Sequence, residues 1–492
     1  MSAQPGCITP AAALRCTAWG RVLLPALCGV LTGCASLAPD AGLGGVQALT
    51  QARVGAVPEV LVPVEPTGAP ADTARAQAEQ ALLAQPLQAG GAVAYALLHH
   101  PGLQAHLAEL GAADAQRATL SRWPNPVLRL GRTSGGAALE WEVALGLDLM
   151  ALFTLPLQRE LALGHFQQQQ RVAAVQALAV AAEARAAWVH AVASAEMLAQ
   201  QQRVMEAAEA ATELARRMVQ AGHFSALAQL REQAFHADAE SQLARARHQA
   251  LADRERLARA LGFAGDPARL PLPERLPALP AAPAPQEGLT AAEQQALEQR
   301  LDLQTARADV QATARALGLG RATRFVNVLH AGWTQATQAG EPTHRGVELE
   351  FSLPLFDFGD SRVAQAQATY HAALHRAAQA ALVARSQVRE AHSAQRTAWA
   401  LARHAQDALV PLRQRIAEES LLRYNGMLGS VFELLNDARA QTLAVANAVA
   451  ARRDFWLADA ALHTATTTGS PDLSATRFSA PTAAAEAAPG GH

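Results

Sequence analysis

Carboxylates stand at alternate positions in two short stretches of this chain: Glu140, Glu142 and Asp148 in one, Glu348 and Glu350 in the other. The residues between them are apolar: Leu139, Trp141, Val143, Leu145 and Leu147 in the first, Val347, Leu349, Phe351 and Leu353 in the second. A period of two belongs to a strand, whose successive side chains point to opposite faces, so each stretch presents one acidic and one apolar face. The chemistry open to the acidic face is electrostatic, attracting cations and repelling anions. His371 and His375 are spaced i and i+4, the spacing at which a helix can offer two metal ligands on one face. No Cys or acidic motif accompanies them, so an exposed helical face is the expected setting, and no metal or other cofactor is expected. His99 and His100 are adjacent and on a helix cannot both turn to one ligand. There is no phosphate-binding Gly loop and no Ser nucleophile elbow, and enzymatic chemistry is not expected.

The four cysteines, Cys7, Cys16, Cys28 and Cys34, all fall in the first tenth of the chain, which leaves no disulfide framework or Cys-based metal site downstream. Arg15 and Arg21 precede an apolar run over 22–30 that is too short to span a bilayer, and Leu31-Thr32-Gly33-Cys34 follows it. This ending resembles the lipobox of bacterial lipoproteins. The resemblance implies a signal peptide over 1–33 and a mature chain that begins at Cys34, acylated on its sulfur and its amine. Ala35, in place of Asp, implies delivery to the outer membrane. At about 0.8 kcal/mol per buried CH₂, several acyl chains anchor a protein firmly.

Half of the 492 residues are apolar, aromatics make up only 4%, and the 41 basic residues, all Arg, nearly balance the 43 acidic ones. Balanced charge gives no basic footprint for nucleic acid. Ala dominates the composition, which suits long, closely packed helices. Six prolines between 271 and 285 cannot lie inside a helix and mark a linker. The sequence to either side is duplicated: Ala96-Leu97 and Leu103-Gln104 recur as Ala296-Leu297 and Leu303-Gln304, and Gly222, Leu230 and Ala234 recur as Gly426, Leu434 and Ala438. The expected organisation is a signal peptide over 1–33, an extended arm over 34–73 and a first repeat over 74–266. A Pro-rich linker over 267–288, a second repeat over 289–466 and a disordered tail over 467–492 complete it.

Each repeat has one order of elements. A first helix, over 91–122 or 290–320, leads to a β-hairpin, whose first strands are expected over 127–131 and 325–333. A helix of some 60 residues follows, over 157–221 or 360–425, turns at Gly222 or Gly426 and returns. Along the long helices Ala173, Ala177, Val180, Ala184, Ala187, Ala191 and Ser194, and again Ala373, Ala377, Ala380, Ala384, Gln387, Ala391, Ala394 and Ala398, alternate steps of four and three. That is a heptad seam of small residues, which lets helices approach closely. The fold class is therefore mainly α with a small β part.

An isolated hairpin is unstable in water or lipid because its edges are unpaired, and pooling hairpins from several copies into a barrel removes those edges. With the motifs "ALLHHPGLQA", "FSLPLFDFGDSRVAQAQA" and "RYNGMLGSVFELLNDA", this order of elements resembles the TolC-like outer-membrane efflux proteins over about residues 74–462. The resemblance implies a homotrimer, four strands per protomer in one twelve-stranded barrel, and a helical tunnel through the periplasm. It further implies a periplasmic adaptor and an inner-membrane pump of the RND type or similar as partners, with substrates passing unaltered. Outer-membrane lipid would meet the apolar strand faces, and Glu140, Glu142, Asp148, Glu348 and Glu350 would line the lumen. Tyr424 and Asp437, with Arg216 and Arg217, are the candidate periplasmic gate, and Glu418, Glu419 and Arg231 lie near them. The first repeat departs from the pattern, since "LDLMALFTLPLQRELA" lacks the Asp-Phe-Gly found at 357–359. Two other classes, a structural coiled-coil envelope lipoprotein and a periplasmic adaptor, fit less well. The first has no need of alternating strands, and the second normally has one helical hairpin flanked by β-rich domains.

Overall fold

The computed structural model describes residues 40–54, 77, 79–135, 138–283, 285, 288–325, 328–338, 341–351, 356 and 358–469. Cys34, the signal segment, Leu353 and the tail beyond 469 lie outside the described residues. In chain order the elements are α1 (Leu43–Val54), α2 (Ala89–His99), α3 (Pro101–Leu120), β1 (Val127–Gly135), β2 (Ala138–Asp148), α4 (Leu149–Gln220), α5 (Ala226–Leu261), α6 (Gly288–Gln299) and α7 (Leu301–Ala322). The second hairpin, β3 (Leu329–Gln338) and β4 (His344–Phe351), leads to α8 (Asp360–His404), a π turn (Ala405–Leu409), α9 (Val410–Asn425) and α10 (Val431–Thr467). The chain forms two compact units, one around residues 115–162 and 328–351, the other from the remaining described residues.

The smaller unit holds one antiparallel sheet in the order β1-β2-β3-β4. Both expected hairpins form, and β2 pairs with β3, which joins the two repeats in a single sheet. The strands are longer or shifted relative to expectation, β1 running to Gly135 and β3 starting at Leu329 rather than at Phe325.

In the larger unit the duplication extends to individual hydrogen bonds. Each expected first helix is two helices, broken at His100 and at Arg300, both with extended backbone angles. Pro101 explains the first break, because proline disfavours helical geometry in the residue before it. No proline stands at the second. There the Arg300 guanidinium is buried, 1% exposed, and bonds Asp302 on α7, Gln387 on α8 and the Ala465 carbonyl on α10. Across each break a Gln reaches back, Gln104 Nε2 to the Leu98 carbonyl and Gln304 Nε2 to the Glu298 carbonyl, both at 3.1 Å. The return helices share a cap as well: Ser225 Oγ accepts from Ala228 N–H and Ser430 Oγ from Glu433 N–H, each at 3.1 Å.

The small-residue seams face inward. Ala173, Ala177, Ala184, Ala187 and Ala191 are all buried, and so are Ala373, Ala384, Ala391 and Ala398. Ala187 shares a core with Tyr95, Trp188, Leu257 and Leu261, whereas Ala391 packs with Ala296, Val388 and Ala465. The seams therefore bind each chain's own helices together. A window of α4 is long and apolar enough to cross a membrane, but half of it is buried against the protein itself, as in the core helix of a folded unit.

One expectation fails in this unit. The stretch read as an extended arm contains α1, whose Leu43 and Val46 are buried with Leu97, Leu103 and Phe166. Its glycines are there for close approach: a Cβ on Gly45 would lie 2.6 Å from Gln170 Nε2, and that nitrogen donates to the Gly42 carbonyl. The Pro-rich segment between the repeats contains no α-helix among its described residues, and it packs against the repeats. Leu270 and Leu276 are buried, and indole N–H groups of Trp399 and Trp456 donate to the carbonyls of Pro280 and Pro277. The long helices do end at the expected turns, at Gln220 before Gly222 and at Asn425 before Gly426, with the left-handed residue at Gly222, φ 77°, in the first and at Met427, φ 58°, in the second.

The strand-to-helix junctions differ as the sequence suggested. In the second repeat Gly359 has φ 77°, and a Cβ there would lie 2.7 Å from the Arg324 carbonyl, so only glycine fits. Arg324 binds the Phe358 carbonyl and the Asp360 carboxylate. In the first repeat β2 runs straight into α4, and Asp148 Oδ1 accepts from Ala151 N–H as a helix cap. Pro156 sits inside α4. Pro411 instead follows the π turn at the start of α9, where its missing N–H is accommodated.

Candidate functional site

Strand register decides which side chains share a face. Glu140 lies opposite Thr133 and Gln338, Glu142 opposite Gly131 and Ala336, Gly332 opposite Gly146 and Glu348, and His330 opposite Asp148 and Glu350. The five carboxylates picked from the sequence thus occupy one face of one sheet. Arg129 and His344 occupy it too, and His330 stands between Asp148 and Glu350. These three escaped the sequence reading, because their face follows from pairing across two hairpin turns and not from alternation within one strand. Glycines from every strand also lie on this face, Gly131 and Gly135 of β1, Gly146, Gly332 and Gly346, which keeps its relief low.

The opposite face is apolar and open. Val347 is 90% exposed, Leu130 69%, Leu349 61% and Leu128 60%, with Trp141, Leu145, Trp333 and Phe351 beside them. Toward the turns it becomes polar, with Arg132, Ser134, Thr337 and Arg345. There the Arg132 guanidinium lies 5.6 Å from the Trp141 ring centroid. From the Trp141–Thr337 row to the Leu329–Phe351 row is eight residues of β3. That is about 27 Å at about 3.4 Å per residue before any tilt, comparable with the roughly 25 Å apolar band of a membrane barrel. An exposed apolar patch of this extent marks a surface that meets a membrane or another protein.

The second group of candidates clusters at the helical turns. Tyr424 is half-buried in the last turn of α9, and Asp437 on α10 accepts the Ser420 hydroxyl. Arg216 and Arg217 are engaged on their own helix, each bonding Glu213, at 2.8 and 2.7 Å. These hydrogen bonds hold the Glu213 carboxyl well down, at about 2. Among the described residues no ion pair joins Arg216 or Arg217 to Tyr424 or Asp437. Glu418 accepts from Gln414, and Arg231 lies 5.5 Å from the Phe432 ring centroid, bridging the two repeats.

The main link between the turns came from residues not singled out in the sequence. Glu232 on α5 is fully buried and pairs with Arg439 on α10, whose guanidinium also lies 3.9 Å from the centroid of the Phe235 ring. Thr212 on α4 donates to the Glu232 carbonyl at 3.3 Å. The signal was available in the duplication, since Phe235 and Arg439 stand equally far beyond Gly222 and Gly426.

His371 and His375 are both exposed on α8, and among the described residues no group of three or more His, Cys, Asp or Glu is placed to hold a metal ion.

No family model matches the chain, and neither does any curated protein. Solved structures do. The Campylobacter jejuni CmeC outer membrane channel matches with a TM-score of 0.66 at 15% identity, over 77% of this chain and 85% of that one. A membrane protein from Pseudomonas aeruginosa matches with a TM-score of 0.64 at 20% identity, over 76% and 92%. The open state of the Neisseria gonorrhoeae MtrE outer membrane channel matches with a TM-score of 0.62 at 17% identity, over 76% and 88%. At these identities the likeness shows the fold, and that fold is the TolC-like one that the sequence resembles.

Proposed function

We propose that this protein is the outer-membrane channel of a tripartite efflux system. Three copies close one twelve-stranded barrel from their four-stranded sheets, and the larger units form the helical conduit in the periplasm. A periplasmic adaptor and an inner-membrane pump of the RND type or similar deliver substrates, which pass unaltered. The observation that carries this is the two-faced sheet: an open apolar face of membrane dimensions backs a face of carboxylates, on strands β1 and β4 whose outer edges are free to pair with further copies. Sheet edges exposed within a bilayer are not viable, and closure with other copies removes them. The TolC-like fold supports the same role. A coiled-coil lipoprotein would have no use for this sheet, and an adaptor would have no use for two helical hairpins. Native mass spectrometry of the purified protein should give three chains, and planar bilayers should show discrete conductance steps. A monomer without conductance would overturn the proposal.

Two further parts belong to it. Cys34 carries the lipid that retains the chain at the outer membrane. Palmitate should label the parent and not Cys34→Ser, and label entering that variant would remove the assignment. Tyr424 and Asp437, with Arg216 and Arg217, constrict the periplasmic end. Tyr424→Ala with Asp437→Ala should raise the conductance of the closed channel, and unchanged conductance would clear these residues of that role.

A further inference from the structure

Within the larger unit a groove of about 710 Å³ opens where the Pro-rich segment crosses helices of both repeats. Its size falls within the roughly 300 to 1,000 Å³ of small-molecule sites. Arg203 from α4, Arg254 from α5, Arg275 from the Pro-rich segment and Arg452 from α10 line it, against two carboxylates, Glu196 and Glu274. Glu196 is already committed, accepting from Arg452 Nη2 and from the Leu276 N–H. Arg254 spends Nη1 on the Ala268 carbonyl. Arg203 and Arg275 have no ion-pair partner among the described residues, and Arg452 Nε is buried without an acceptor there. The groove thus holds an excess of guanidinium donors over acceptors.

Apart from Gln200 and Gln406, the rest of the lining is apolar. Val410, Val445 and Val449 provide branched surface, and Ala195, Ala199, Ala402 and Ala448 leave the space that larger side chains would fill. Guanidinium is planar, weakly hydrated and suited to bidentate pairing with a carboxylate. A ligand matched to both parts has one carboxylate and a short aliphatic body.

We infer that this groove binds an amphipathic carboxylate, its head on Arg452 and Arg203 and its chain against Val445 and Val449. The inference rests on the groove alone and stands apart from the channel function. The test is calorimetric titration of sodium octanoate into the full-length protein in lipid nanodiscs, with empty nanodiscs as baseline and octanol as the uncharged probe. Octanoate should bind saturably, once per chain, and octanol should not. Arg203→Glu with Arg275→Glu should weaken binding at least about tenfold, the scale of losing a charge-assisted hydrogen bond. Both residues are exposed, so this variant keeps the fold. Arg452→Gln should weaken it as well. Absence of saturable heat in the parent, as when a neighbouring copy fills the groove, would overturn the inference. So would saturable octanol binding, or unchanged affinity in Arg203→Glu with Arg275→Glu.

Discussion

Arg439 lies with its guanidinium 3.9 Å from the ring centroid of Phe235, and the two residues hold the same position in the two repeats. Duplication has thus set two equivalent helix faces against each other and then differentiated them, one into a cation and one into an aromatic surface. Beside them Glu232, fully buried, completes the contact as the partner of Arg439. Arg439→Ala would leave that carboxylate buried and unpaired, at a cost of order 3 kcal/mol. Replacing both partners, Glu232→Leu with Arg439→Met, should recover most of the loss. Thermal unfolding of the single and double variants is the check, and a double variant as unstable as the single one would show that the pair is not the source.

Ala187 and Ala391 tell how tightly the helices approach. Leu at either site adds bulk to a filled core, at about 1 to 3 kcal/mol. Because Ala187 packs within its own chain, beside Trp188 and Leu257, Ala187→Leu should lower the unfolding temperature of the protomer itself, and dissociation of the assembly should follow from that. Subunits that separate earlier but unfold at the parent temperature would argue instead for a seam between chains.

His190 gives the larger unit a pH dependence. Burial is the main cause that pushes its pKa below the usual value, aided by Arg453 and Arg256 and opposed by Asp253 and Asp454. The folded state therefore keeps His190 neutral at pH values where the unfolded chain binds the proton. Stability is lost as pH falls from about 6.5 toward the depressed folded value. Asp459, raised by burial, acts with the opposite sign at lower pH, since its folded form holds a proton that the unfolded form releases. His190→Gln should flatten the stability profile between about pH 7 and 5.5, where an unperturbed His titrates. An unchanged slope would place the titrating group elsewhere.

The two faces of the sheet should respond oppositely to charge. Val347→Arg puts a guanidinium on the open apolar face, where the cost in a bilayer is about 2 to 4 kcal/mol, while Thr334→Arg puts it on the carboxylate face at little cost. Folding into lipid vesicles, followed by protease resistance, should fail or slow for the first and proceed for the second. Equal behaviour would mean that the apolar face does not meet lipid.

Much of this was written in periodicities. The alternation of Glu140, Trp141, Glu142 and Val143 gave the strands, the four-three spacing of alanines gave the inward seam, and the repeated Ala-Leu and Leu-Gln pairs gave the halves. What stayed hidden depended on partners distant in sequence. Arg300 stands at a helix break where, beside the local Asp302, the distant Gln387 and Ala465 satisfy its buried guanidinium, and those partners cannot be read locally. Gly42 and Gly45 looked like loop residues because their purpose, room for Gln170, lies far along the chain. His330 and Arg129 joined the acidic face only once register was fixed, and Glu232 became notable only through its burial against Arg439.

The carboxylate face is the centre of the account, and ion selectivity reports on it most directly. Each chain places Glu140, Glu142, Asp148, Glu348 and Glu350 there against one fixed cation, Arg129. Closed into a barrel, these groups form acidic rings that favour cations. Reversal potential across a planar bilayer under a KCl gradient should show cation preference in the parent. It should weaken as salt rises, since the screening length falls from about 10 Å at 0.1 M to about 3 Å at 1 M. Glu140→Gln with Glu348→Gln should reduce that preference. Anion preference in the parent, or identical selectivity in a correctly folded double variant, would contradict the account.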